Sequence, residues 1–158
     1  MRIRTLAGTV ALALCASGSA LAATGDTPAT ATLSSSKAGA KHVTMTVALR
    51  SELQCGRLMG SRKLVLTLPA KARVAATIPA AAITVSGRAA STVSVAGRVV
   101  TVTLPLPHGM TCNSITMGTV RIVFMPAAGF ANPKAPGAYM VRIAHGSETF
   151  AAPLKIHA

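Results

Sequence analysis

Short runs of alternating apolar and polar residues, separated by glycine, proline or serine, constrain the fold of this chain more than any other feature. In Val43–Leu49 every second residue is a large apolar one, and Leu64, Leu66 and Leu68 repeat the pattern. A period of two is typical of a β-strand with one buried face. No stretch after residue 22 has the i, i+3, i+4 apolar spacing of a long helix, and 79–82 would make one turn at most. The pattern predicts an all-β fold.

The alternation continues through the second half of the chain. The predicted inward rows there are Ile83 and Val85; Val93 and Val95; Val100, Val102 and Leu104; Val120, Ile122 and Phe124; and Tyr139, Val141 and Ile143. Glycines in 86–87, 96–97 and 145–147 allow the positive φ of tight hairpin turns. A last strand is predicted over 148–156, with Pro153 marking an edge or a bulge. This spacing predicts one antiparallel β-sandwich of about seven to nine strands, with a small closed barrel as the alternative.

The first 22 residues are typical of a secretory signal peptide. Arg2 and Arg4 form a basic start, 6–14 is a short apolar run, and 20–22 is a small-x-small cleavage site. We therefore expect an exported protein, secreted, periplasmic or at the cell surface, whose mature chain begins near Ala23 and has no transmembrane segment.

Two other interpretations of the N-terminal segment remain open. An uncleaved membrane anchor is disfavoured because polar residues at 17–19 interrupt a run already shorter than the ~20 apolar residues of a membrane span. Acylation of Cys15 is disfavoured because Leu14, which is not small, precedes it. The mature chain then divides into a flexible lead-in with a possible edge strand at 23–40 and one domain at 41–158.

Two cysteines, Cys55 and Cys112, remain after cleavage and lie 57 positions apart. An even pair in an exported chain predicts one disulfide. Closing a loop of that length stabilises a fold by roughly 4 kcal/mol in the chain-entropy model. A metal or redox pair is the alternative, but the sequence has no C-x-x-C motif and places no histidine beside a thiol.

Three segments resemble immunoglobulin-like modules of secreted and cell-surface bacterial proteins. They are Ile83–Gly87, Val93–Val102 and Ala128–Val141, and the last contains a G-x-x-N-P-x-x-x-G-x-Y corner. The resemblance covers about residues 60–150 and implies an immunoglobulin-like β-sandwich in a surface or extracellular setting, without a catalytic residue. We expect Tyr139, the single tyrosine, to pack inward and to bond a nearby backbone group through its hydroxyl.

The supply of carboxylates restricts the chemistry of the mature chain. Only Asp26, Glu52 and Glu148 remain, which excludes calcium or magnesium sites built from several carboxylates. A glycosidase pair would have to combine Glu52 with Glu148, and a Ser-His-acid triad would need one of the same two. We therefore expect a non-enzymatic protein without a cofactor.

A soft-metal site is the alternative function. His108 and Met110 lie close together in the sequence and Met117 follows shortly after. Nitrogen and sulfur ligands of this kind suit copper, so a small periplasmic copper protein is one interpretation. Against it, Cys112 is better used in the disulfide, and methionines more often fill cores.

Positive charge is the feature that these interpretations leave unexplained. The chain has 16 lysines and arginines against 3 acids, a formal net charge of +13, and loss of Arg2 and Arg4 leaves +11. These cations face water or an anionic partner. The predicted polyanion-binding residues cluster in sequence and are Arg57, Arg62, Lys63, Lys71 and Arg73. We expect an acidic envelope or extracellular polymer, or a surface protein, as partner; a merely solvated basic surface is the alternative.

Specific nucleic-acid recognition is not expected, because the sequence has neither a recognition helix nor a basic region interleaved with aromatics.

Overall fold

Ten β-strands and two single-turn 3-10 helices form the described part of the chain, which comprises residues 27–53, 63–104 and 116–158 of a computed structural model. The strands are β1 (Thr27–Leu33), β2 (Met45–Leu53), β3 (Lys63–Thr67), β4 (Ile83–Val85), β5 (Arg88–Ala89), β6 (Thr92–Ala96), β7 (Val99–Thr103), β8 (Thr116–Phe124), β9 (Gly137–His145) and β10 (Glu148–Ile156). The 3-10 helices are Ala80–Ala82 and Pro126–Ala128. In these residues no helix has the length and apolarity that crossing a membrane requires.

The strands form two antiparallel sheets, so the predicted all-β sandwich is confirmed. The first sheet has the order β5-β4-β8-β2-β1 and the second has the order β10-β9-β3-β7-β6. β1 links them: Ala29–Leu33 pairs antiparallel with β2, whereas Thr27 and Pro28 pair parallel with β10. The ten strands exceed the predicted number partly because β5 has only two residues, too few to show an alternation.

The core lies between the two sheets and consists mostly of the rows that the alternation predicts, although the predicted row of Val93 and Val95 is only half-buried. All three phenylalanines, Phe124, Phe130 and Phe150, are buried in it. The other buried rows are Met45, Val47 and Leu49 on β2; Leu64 and Leu66 on β3; Val100 and Val102 on β7; Val120 and Ile122 on β8; and Val141 and Ile143 on β9. Fully burying one such side chain contributes about 1.5 to 3 kcal/mol relative to leaving it exposed.

Three loops meet at one end of the sandwich, which we call the three-loop end. They are 34–44 between β1 and β2, 68–82 between β3 and β4, and 125–136 between β8 and β9. Backbone hydrogen bonds join them, with Val43 donating to the Phe130 carbonyl at 3.0 Å and Arg73 donating to the Ala131 carbonyl at 3.1 Å. The loop 125–136 therefore lies between the other two and holds them together.

The corner after β8 confirms the expected role of the single tyrosine. The Tyr139 ring packs against the core, and its hydroxyl donates to the Ala135 carbonyl at 2.8 Å. Pro153 lies where the outer edge of β10 is open, because β1 pairs only with Phe150 and Ala151 of that strand. This position matches the edge role predicted for the proline.

Candidate functional site

Of the cations that cluster in the sequence, the three in the described residues lie at two ends of the sandwich. Lys63 begins β3, whereas Lys71 and Arg73 follow the end of that strand, at the three-loop end. At about 3.3 Å per residue, the strand alone separates its first and last residues by about 13 Å. Arg57 and Arg62 lie outside the described residues. The structure thus brings Lys71 and Arg73 together and places Lys63 away from them.

The three-loop end gathers cations from five separate parts of the chain. The seven exposed lysines and arginines there are Lys37, Lys41, Lys71, Arg73, Arg98, Lys134 and Lys155. The two acids in the described ranges, Glu52 near the end of β2 and Glu148 at the start of β10, belong to the opposite end. This end therefore has a concentration of positive charge with no aspartate or glutamate among its described residues.

Loop packing holds three of these cations near one another. Lys37 forms a parallel bridge with His157, just beyond β10, the strand that carries Lys155. A Cβ built on Gly39 would lie 3.9 Å from Cγ of Lys134, so the Lys134 side chain lies across the loop that carries Lys37. The Gly39 amide also donates to the Pro133 carbonyl at 2.9 Å.

Turn geometry positions two further cations. Lys71 lies in a turn in which the Ala72 amide donates to the Pro69 carbonyl at 3.2 Å, and its φ is +68°. That conformation favours glycine or asparagine, so the lysine is held in it against its preference. Arg98, in the turn between β6 and β7, donates through Nη1 to the Leu68 carbonyl at 3.4 Å. This contact brings the β6–β7 turn to the start of the 68–82 loop.

The remaining cations of the described residues are dispersed. They are Arg50 and Arg121 on the outer face of the first sheet, Arg142 and Lys63 on that of the second, and Arg88 on β5. Charges that lie within a Debye length, about 8 Å at physiological ionic strength, reinforce one another, whereas dispersed ones are screened. The three-loop end is therefore the part of the described surface where exposed cations are most concentrated.

Proximity along the sequence did not identify five of the seven cations at the three-loop end. These five, Lys37, Lys41, Arg98, Lys134 and Lys155, lie in four segments that are far apart along the chain, and only the order of the strands brings those segments to one end. The one signal that pointed to part of this surface was the Asn132-Pro133 corner, which predicts a loop next to Lys134.

The other predicted site residues fall on parts of the chain for which no side chain is described. Cys55, Cys112, His108 and Met110 lie outside the described residues, and Met117 is described only through its backbone in β8. In the three described ranges, no group of three or more histidine, cysteine, aspartate or glutamate side chains is close enough to hold a metal ion.

An open groove of about 600 Å³ lies between β1 and β10 next to the three-loop end. Its lining residues come from β1, β9 and β10 and are mainly alanine, glycine, proline and leucine. Lys155 is the one ionisable side chain among them.

Comparisons with known proteins identify a solved structure with a similar fold. No protein-family model and no curated protein matches the sequence. Among solved structures, the chain is similar to the crystal structure of BslA, described as a bacterial hydrophobin, with a TM-score of 0.52. The two share 18% sequence identity, and the match covers 82% of this chain and 97% of BslA. At this identity the likeness extends to the fold.

Proposed function

We propose that this protein is an exported, non-enzymatic interaction module of the cell envelope or extracellular space, and that its three-loop end binds an acidic polymer. One observation carries the proposal. Seven exposed cations from five parts of the chain share one end of the sandwich, and the two described acids are at the other. Because neither described acid lies at this end, an anionic partner gains attraction to several cations at once.

The architecture supports an immunoglobulin-like module. In an immunoglobulin constant-type domain, strands A, B, E and D form one sheet and strands C, F and G form the other. Here β1, β2, β8 and β4 are neighbours in the first sheet, and β3, β9 and β10 are neighbours in the second. The order along the chain departs from that plan after β3, where β4 and β5 precede β6 and β7. The likeness to a bacterial hydrophobin supports a structural role rather than a catalytic one.

The seven cations of the three-loop end cover the whole end and do not converge on one point, which favours a polymer over a small anion as the ligand. A small anion is usually bound by several donors converging on one point. The seven cations instead lie on five segments, each exposed, across the whole end. A chain with repeated phosphate or carboxylate groups contacts such a surface at several points and releases its condensed counterions on binding.

Binding to polyphosphate and to polyglutamate over a range of salt concentrations tests the proposal, with neutral dextran as the control polymer. The logarithm of the affinity should fall linearly with the logarithm of the salt concentration, as it does for proteins on nucleic-acid backbones. Glu52→Gln and Glu148→Gln should leave binding intact. Absence of binding at low salt, or binding that is insensitive to salt, would contradict the proposal. Comparison of the two polymers shows whether phosphate or carboxylate groups bind better.

A further inference from the structure

One edge of the second sheet is formed by β6, a strand with a single strand neighbour in the described part of the chain. β6 pairs with β7 on one side and is last in the strand order, so its other side has no neighbouring strand among the described residues. All five of its side chains are exposed or half-exposed. Its sequence, Thr-Val-Ser-Val-Ala, has no charged residue and no proline. Natural sheets usually protect an edge of this kind against pairing with another chain.

Two of the other open edges in the described part of the chain have such protection. β5, at the edge of the first sheet, has two residues, one of them the exposed Arg88. β10 carries Pro153, which lacks an amide proton, and Lys155. Short strands, lysines and prolines are the usual features that prevent edge pairing. Unlike these two edges, β6 has the geometry and composition to accept a further strand.

The free backbone groups of β6 follow from the hairpin that it forms. Gly97 and Arg98 form a two-residue turn between Ala96 and Val99, which are paired. Because hydrogen-bonded pairs alternate along an antiparallel ladder, Ala96, Ser94 and Thr92 bond to β7. The amide and carbonyl groups of Val93 and Val95 then point away from β7. Both valine side chains are half-exposed.

We propose that two copies of this chain associate through β6, in antiparallel register about a two-fold axis at Ser94. In this register Val93 of one copy lies opposite Val95 of the second copy, and by symmetry Val95 of the first copy lies opposite Val93 of the second. Each pair exchanges two N–H···O bonds, so the four bonds use all of the outward groups of both valines. The same register places β-branched side chains opposite each other, a favourable cross-strand pair. The edge is thus complementary to itself.

Net charge sets the conditions under which this dimer forms. Two copies that each carry about +11 repel one another, and salt screens that repulsion. Dimerisation therefore increases with salt, whereas polymer binding at the three-loop end decreases. A five-residue edge is also much smaller than a standard interface of about 1,600 Å², so the dimer is weak and concentration-dependent. The opposite salt dependences keep this proposal experimentally separate from polymer binding.

Sedimentation velocity of the mature chain at rising protein and salt concentration tests the proposal. The wild-type chain should shift from monomer to dimer, and salt should promote the shift. Ser94→Lys places two lysines opposite each other on the two-fold axis and should weaken dimerisation at least tenfold, about 1.4 kcal/mol. Thr101→Lys is the matched control, because Thr101 pairs with Ser94 on the same outer face but lies on β7, one strand in from the edge. It adds the same charge and should retain most of the dimer.

Val95→Pro gives a second, uncharged test, because it removes one outward amide proton and leaves the bonds to β7 in place. It should also yield monomer, with a strand-dominated circular dichroism spectrum that shows the fold is kept. In the wild-type dimer, the amides of Val93 and Val95 should exchange slowly with solvent. A wild-type chain that stays monomeric at high salt would overturn the proposal. So would a dimer that survives both Ser94→Lys and Val95→Pro, or one that Thr101→Lys disrupts as strongly as Ser94→Lys.

Discussion

Asn132 connects two loops of the three-loop end, 125–136 and 34–44, through its side chain. It is 3% exposed, and its Nδ2 donates to the carbonyls of Ser35 and Lys37, both at 2.8 Å. The backbone amide of Asn132 donates to the Ala40 carbonyl at 2.9 Å. One buried residue thus fixes the loop that carries Lys37 and Lys41, two of the seven cations.

Replacing Asn132 by aspartate removes both side-chain donors and places a carboxylate beside two carbonyls. We expect Asn132→Asp to lower the free energy of unfolding by roughly 3 kcal/mol or more, because buried acceptors lose their partners and a charge is buried. Asn132→Ala, which adds no charge, should cost less, about 2 kcal/mol. Urea denaturation measures both. An aspartate variant as stable as the wild type would mean that the loop is held by other contacts.

Lys71 allows charge to be removed from the three-loop end without loss of stability. Asparagine tolerates the positive φ of this position better than lysine does. Lys71→Asn should therefore leave the free energy of unfolding unchanged or raise it by up to about 1 kcal/mol, while weakening binding to polyglutamate. Lys63→Asn removes the same charge at the opposite end and should weaken binding less. The account is contradicted if the two variants bind equally well.

At the scale of elements, the pairing of β2 with β8 bears on the predicted disulfide. These strands pair over nine residues, from Met45↔Phe124 to Leu53↔Thr116. Cys55 follows that last pair by two residues, and Cys112 precedes it by four. The pairing of the strands therefore favours a link between the cysteines, in addition to the argument from their even number.

We predict that the exported protein has an N-terminus near Ala23 and a mass two hydrogens below that of the reduced chain. Cys55→Ser should lower the melting temperature and leave the strand-dominated circular dichroism spectrum recognisable, because the disulfide stabilises by roughly 4 kcal/mol. Mass spectrometry with and without alkylation checks the bond. Two alkylatable thiols in the unreduced protein, or an intact Met1, would show the prediction to be wrong.

Local sequence pattern was sufficient to predict most elements of this fold. Inward rows such as Val120, Ile122 and Phe124 are buried as expected, and β10 has the predicted bounds of 148–156. These features depend on alternation and turn chemistry, which are local. The order of the strands was not predictable, because every strand shows the same alternation. That order includes the change of sheet within β1 and the position of β7 beside β3.

At the scale of the whole molecule, the proposed function depends on that unpredictable order. Proximity in sequence suggested that Lys63 and Lys71 act together, but β3 runs between them and separates them. The cations that do share a surface, such as Lys37, Arg98 and Lys134, are distant in the sequence and meet because their loops meet. The chain's large positive charge was evident from composition, whereas its concentration at one end required the fold.

The central claim is that the position of the charge, and not only its amount, determines polymer binding. Two variants with the same net charge separate these factors. In one, Lys37, Lys41, Lys71 and Lys134 at the three-loop end are replaced by Gln. In the other, the dispersed residues Arg50, Lys63, Arg88 and Arg121 are replaced by Gln. All eight residues carry cations in the described ranges, and each set lowers the net charge by four.

The affinity of both variants for polyglutamate, measured as a function of salt concentration, tests the claim most directly. The three-loop variant should lose most of its binding at low salt, and the slope of log affinity against log salt should fall by roughly one for each lysine that contacts the polymer. The dispersed variant should lose less than half as much binding at low salt, and its slope should fall by less than half as much. Equal losses in the two variants would contradict the account, because binding would then depend on net charge alone.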